Sequence, residues 1–222
     1  MSEKFGIFDM DGTLVDSLPY WRQLYREYLA SRGITDPPRS IMSQTPSMTA
    51  PEAASFFIRS FQLSDTQEEA VAKINRIIGE HYRSHIPLRV GAEEFLQRLE
   101  EEGWRMCVAS ATAPELIDLC LRHLGIRRYF QFALSCVEVG VGKTRPDVYL
   151  EAARRLGSLP GQTVVFEDAI IPAATAKQAG FLLASIYNGS PHQDHGELRA
   201  LSDCYLTTWD YEDFSRQFQR FT

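Results

Sequence analysis

The chain has 222 residues, which at roughly 150 per domain allows one large domain or one domain carrying an inserted module. Its 23 basic and 29 acidic residues leave a net charge of −6, the wrong sign for a nucleic-acid footprint. The 44% apolar and 23% charged fractions are those of an ordinary globular chain with a sizeable core, which excludes disorder as the main state.

Short apolar runs that read as buried strands occur at Phe5-Gly6-Ile7-Phe8, Met106-Cys107-Val108-Ala109, Phe132-Ala133-Leu134, Val164-Val165-Phe166, Leu182 to Tyr187 and Tyr205-Leu206. Between the first and second runs the rhythm is helical. Trp21, Leu24, Tyr25, Tyr28 and Leu29 follow helical spacing and stop at Gly33. Thr49-x-x-Glu52 reads as a capping box opening a helix through Phe61, and Ser64-x-x-Gln67 as one opening a longer helix through Tyr82. A helix over 92–102 closed by Gly103 returns the chain to the sheet. From residue 105 onward strands alternate with helices, one opened by a capping box at Thr112-x-x-Glu115 and one starting at Pro146 and ending at Gly157. This order predicts an α/β fold, a Rossmann-like parallel sheet covered on both faces, with an inserted all-helical module. The expected division is a core of 1–16 and 87–222 and a helical cap of 17–86.

No apolar run approaches the ~18 residues that span a bilayer. Met1 to Lys4 leads into the first strand with no small-residue cleavage site, so no leader is expected. The cysteines Cys107, Cys120, Cys136 and Cys204 form no C-x-x-C pair and read as reduced, buried residues. Together these features predict a cytoplasmic protein with no membrane and no nucleic-acid partner.

The chemistry-bearing residues fall at strand ends, where a doubly wound sheet places its ligand. Asp9-Met10-Asp11-Gly12-Thr13 follows the first strand directly. Like charges so close call for a proton or a cation between them, and Gly12 lets the backbone turn away. Ser110 ends the second strand, and with the Ala111 amide it suits a phosphate oxygen. Lys143 lies in the glycine-flanked loop Gly140 to Pro146. Glu167-Asp168 leaves the fourth strand as two acids, which costs desolvation unless a metal or a donor is present. The pair His192-x-x-His195 reads as exposed loop histidines rather than a metal site.

Four such motifs in this order resemble the haloacid dehalogenase-like hydrolases over nearly the whole chain. The helical insertion is similar to that of the subgroup of beta-phosphoglucomutase and phosphoglycolate phosphatase. The resemblance implies a nucleophilic Asp9 that forms an aspartyl-phosphate, and Asp11 as general acid and base. It implies Mg²⁺ held by the Asp9 carboxylate, the main-chain carbonyl of Asp11 and the Asp168 carboxylate, with Glu167 orienting that set. Ser110, the Ala111 amide and Lys143 would hold the phosphoryl oxygens. Thr144 and Pro172 depart from the proline and glycine that members often carry there.

By the same resemblance Asp11 speaks against a dehalogenase, and Lys73 is the cap's single lysine, too simply exposed to serve as a Schiff base. A mutase would carry a cap histidine where Trp21 stands. The expected function is therefore a Mg²⁺-dependent phosphatase of a small phosphorylated metabolite, ahead of a beta-phosphoglucomutase-like mutase or a non-catalytic binding protein. Tyr20, Trp21, Arg22, Gln44 and Thr45 are the cap positions expected to face the substrate. The hydroxyl-rich, uncharged stretch 43–49 points to a neutral leaving group, and a monomer or weak dimer is expected.

Overall fold

The computed structural model describes residues 4–45, 48–191 and 195–218. His192 of the histidine pair and Ser47 of the hydroxyl-rich stretch lie outside them. The first strand, β1 (Lys4–Phe8), is followed by four helices: α1 (Leu18–Ala30), α2 (Arg39–Met42), α3 (Ala50–Phe61) and α4 (Gln67–Ser84). Then come α5 (Ala92–Glu101), β2 (Trp104–Ser110), α6 (Pro114–His123), β3 (Ala133–Ser135), α7 (Cys136–Val139) and α8 (Asp147–Leu156). The chain continues with β4 (Thr163–Glu167), α9 (Ile170–Gln178), β5 (Leu182–Ile186), α10 (His195–Leu201), β6 (Cys204–Leu206) and α11 (Tyr211–Phe218).

The six strands form one parallel sheet in the order β3-β2-β1-β4-β5-β6. Strand order reverses at β1, which pairs β2 on one side and β4 on the other. The crevice beyond the carboxyl ends of β1 and β4 is therefore the topological switch point, where such sheets bind ligands.

Alternation along the strands sorts side chains onto two faces. Phe8, Met106, Val108, Val164 and Phe166 join the core that runs under α5 and α11 and on into α1, α3 and α4. Phe5, Ile7, Cys107, Ala109 and Val165 pack the other way, against Val148, Tyr149, Ala152 and Leu156 of α8. Phe8 stacks on Phe166 with ring centroids 4.0 Å apart, locking β1 to β4 just behind the switch point. All four cysteines are free and buried, as their spacing predicts. Among the described residues no helix is long and apolar enough to cross a membrane.

Two helix starts differ from expectation. The capping box of α4 is Thr66 with Glu69, two residues beyond the Ser64–Gln67 pair, and Gln67 instead donates to the Pro51 carbonyl and the Ser55 hydroxyl. Helix α6 has Ala113 at its N-cap and Pro114 in its first turn, not a Thr112–Glu115 box. The Thr112 hydroxyl is taken by Asp11 instead. The α3 box of Thr49 and Glu52 forms as expected. Pro172 is accommodated within the first turn of α9, where a missing N–H leaves no hydrogen bond broken.

Candidate active site

Asp9 is fixed by strand pairing that runs past the end of β1: its N–H donates to the Phe166 carbonyl at 2.9 Å. Its Oδ1 accepts from Lys143 Nζ at 2.5 Å, while its buried Oδ2 has no hydrogen-bond partner. Lys143, brought in by the loop before α8, also donates to Glu167 Oε1 at 2.7 Å. The same Glu167 oxygen accepts from the Tyr149 hydroxyl on α8 at 2.7 Å. Lys143 is 3% exposed, Glu167 1% and Asp168 3%, so this is an ion cluster taken out of water.

Asp168 leaves β4 and accepts from the Thr13 hydroxyl at 3.2 Å and from the Asn188 amide at 2.7 Å. Carboxylate oxygens of Asp9, Glu167 and Asp168 all lie within 4.8 Å of one another. Three carboxylates against one ammonium leave negative charge in excess. Burial foremost, and then the charge of Glu167, push the Asp9 carboxyl well above its usual range, with Lys143 pulling the other way. Burial, then Glu167, likewise push Asp168 up to about 7. Burial works against the Lys143 charge, but Asp9 and Glu167 outweigh it and hold the ammonium above its ordinary value. A divalent cation with hard-oxygen preference matches what the cluster lacks: positive charge and a partner for Asp9 Oδ2.

The turn after β1 is shaped by Gly12, whose φ is +88°. A Cβ there would stand 2.2 Å from Asp168 Oδ2, so glycine is required both by conformation and by the closeness of the acid. Two side chains pin this turn. Arg89 donates to the Gly12 carbonyl at 2.6 Å and to the Tyr187 carbonyl at 2.5 Å, and Trp209 donates to the Thr13 carbonyl at 3.1 Å.

The Asp11 carboxylate does not join the acidic cluster. Tyr82 of α4 and Trp21 of α1 donate to its Oδ1 at 2.5 and 2.9 Å, and Thr112 donates to its Oδ2 at 2.7 Å. Asp9 and Asp11 are thus only two residues apart in sequence but serve separate hydrogen-bond environments, one ionic and one built from neutral donors.

Ser110 is buried at the end of β2, its Oγ accepting from the Thr112 N–H at 3.1 Å. The half-buried Ala111 lies between them. Among the cap positions singled out by sequence, Trp21 reaches Asp11, and Arg22 reaches Ser190 in the loop after β5 at 2.7 Å. Tyr20 instead donates to the His85 carbonyl. Gln44 and Thr45 spend their side chains on the Ser40 and Met42 carbonyls at the end of α2. Sequence reasoning missed Tyr82, Thr112, Arg89 and Asn188. Tyr82 sits on the apolar stripe of α4 and reads as core, and Thr112 reads as a helix cap.

Residues 7–180 match the model of the haloacid dehalogenase-like hydrolases. The chain belongs to that family. It is 31% identical over 176 residues to the fructose-1-phosphate phosphatase YqaB of Escherichia coli, covering 78% of this chain and 91% of that protein. It is 27% identical to the phosphorylated carbohydrates phosphatase of Thermotoga maritima, over 78% of this hydrolase and 80% of the relative. The solved beta-phosphoglucomutase of Clostridium difficile shares its fold, with a TM-score of 0.82 at 19% identity, covering 100% of this chain and 99% of that one.

Proposed function

We propose that this hydrolase is a Mg²⁺-dependent phosphatase acting on a small monophosphorylated metabolite, a sugar or polyol phosphate, through an aspartyl-phosphate on Asp9. The observation that carries the reading is the unpartnered, buried Oδ2 of Asp9 at the switch point, beside an ammonium and two further carboxylates. Relatives named as carbohydrate phosphatases support the substrate class.

Asp9 and Asp168, with the main-chain carbonyl of Asp11, would hold the cation, and Glu167 would orient the set through Lys143. When bound, Mg²⁺ supplies the positive charge that lets an anionic nucleophile meet an anionic phosphoryl group. The Asp9 carboxylate attacks phosphorus, the ester oxygen leaves, and one difficult displacement becomes two easier ones. Lys143, Ser110 and the Ala111 amide hold the non-bridging oxygens, so the charge of the transition state meets fixed donors. Asp11 gives its proton to the departing oxygen and takes one from the water that releases phosphate. Trp21, Tyr82 and Thr112 hold its carboxylate in place between those steps.

The test is phosphate release from a panel of sugar phosphates, polyol phosphates and nucleotides, with Mg²⁺ or with EDTA. Metal-dependent release, greatest on sugar or polyol monophosphates, is expected. Silence on every ester, with sugar phosphates interconverted, would replace the phosphatase by a mutase.

A further inference from the structure

The loop after β5, in which the sequence drew attention only to His192, touches both Asp168 and α1. Asn188 Nδ2 donates to Asp168 Oδ2 at 2.7 Å and lies 3.4 Å from the Asp168 carbonyl. The other end of the same amide is fixed as well, because Asn188 Oδ1 accepts from the Ser190 N–H at 2.8 Å. The Ser190 hydroxyl accepts from Arg22 Nη2 of α1 at 2.7 Å. A continuous run of hydrogen bonds therefore leads from the helices inserted after β1 to a buried carboxylate of the acidic cluster. The strand end that carries this loop is held by Arg89 at the Tyr187 carbonyl, so the loop's root does not depend on Arg22.

We propose that Asn188 is a positioning residue for Asp168, and that the Arg22–Ser190 contact makes its hold depend on the position of α1. Divalent-cation affinity is then set partly by the inserted helices. The inference rests on the metal reading above. Each carboxylate oxygen has two lone pairs, so an oxygen that accepts from Asn188 can still ligate a cation. Hydrogen bonds that orient a ligating carboxylate are worth about tenfold to a hundredfold in metal affinity. Arg22 acts one residue further out, through a contact that forms only when α1 lies against the loop.

The experiment is Mn²⁺ binding to the full chain without substrate, read from the spectrum of the free ion by electron paramagnetic resonance. Asn188→Ala is expected to weaken binding about tenfold or more, and Asn188→Ser, which keeps a short donor, by less. Thermal melts of both establish that they fold. Arg22→Ala and Ser190→Ala are each expected to weaken binding by roughly two- to tenfold. The double variant should be no weaker than either single one, since both break the same contact. Arg22→Lys should restore most of the loss. Unchanged affinity in a folded Asn188 variant overturns the positioning role. Weakened Asn188 variants with Arg22→Ala and Ser190→Ala at wild-type affinity overturn the coupling to α1. Wild-type protein that binds no Mn²⁺, or Asp168→Asn that binds it normally, would sink the metal reading itself, which is a distinct result.

Discussion

The Tyr82 hydroxyl donates to Asp11 Oδ1 at 2.5 Å, although 71 residues separate the two, one on α4 and the other just after β1. Tyr82 is also the acceptor for Trp21 Nε1 at 3.2 Å, so one hydroxyl orders both the acid and its second donor. Burial and the charge of Asp11 hold the Tyr82 phenol well above its ordinary range, which makes it a permanent donor at working pH.

Tyr82→Phe keeps the ring in the core and removes that hydroxyl. Stability should fall by about 1 kcal/mol, the net value of a typical buried hydrogen bond. Turnover should fall about tenfold through kcat rather than KM, because a misplaced acid affects chemistry more than binding. Steady-state kinetics on the best substrate of the panel provide the check. A change confined to KM would mean that Tyr82 touches the substrate instead.

Lys143 is the sole cation among the described residues that is hydrogen-bonded to both Asp9 and Glu167. Lys143→Met should cost about 3 kcal/mol of folding stability in EDTA, since truncation leaves carboxylates buried without their partner. Activity should drop by a factor on the order of 10² to 10³, the loss of one preorganised donor at the transition state. Urea unfolding and phosphate release measure the two effects separately.

Arg89 joins the β1 turn at Gly12 to the end of β5 at Tyr187. Arg89→Lys should not rescue Arg89→Ala, because one ammonium cannot serve two carbonyls on either side of a planar fork. Both variants should lose about 1–3 kcal/mol, with slower turnover. Equal stability of the lysine variant and wild type would show that the clamp is dispensable.

Asp65 accepts two nitrogens of Arg32 and the Tyr28 hydroxyl. Arg32 holds its carboxyl below the usual carboxylate range. A depressed folded-state value gives stability that is present above the unfolded value near 4 and lost as pH falls through the folded one. Asp65→Asn should therefore be less stable than wild type by about 1 kcal/mol at neutral pH. The difference should shrink below about pH 4. Denaturation midpoints of the two proteins from pH 7 to pH 3 test this.

What the sequence made legible follows from how each feature is built. Central strands buried on both faces become uninterrupted apolar runs, so Phe5–Phe8 and Val164–Phe166 stand out. β2 begins earlier than its apolar run because Trp104 and Arg105 extend it, with Arg105 lying over the Phe5 ring. Asp9, Lys143, Glu167 and Asp168 were legible because charge directly after a buried strand needs a reason. Asn188 and Arg89 were not. Each acts through long-range contacts from a loop, Arg89 to the Gly12 and Tyr187 carbonyls and Asn188 to Asp168, and neither periodicity nor local capping records such contacts. Thr112 misled for a related reason: a hydroxyl before a helix reads as a cap until another partner, here Asp11, competes for it.

The most direct test of the account is mass spectrometry of protein quenched in acid during turnover with Mg²⁺. The account predicts one added phosphoryl group on the peptide that contains Asp9, and neither adduct nor phosphate release in Asp9→Asn. An adduct on another residue, or undiminished phosphate release from Asp9→Asn, would contradict it.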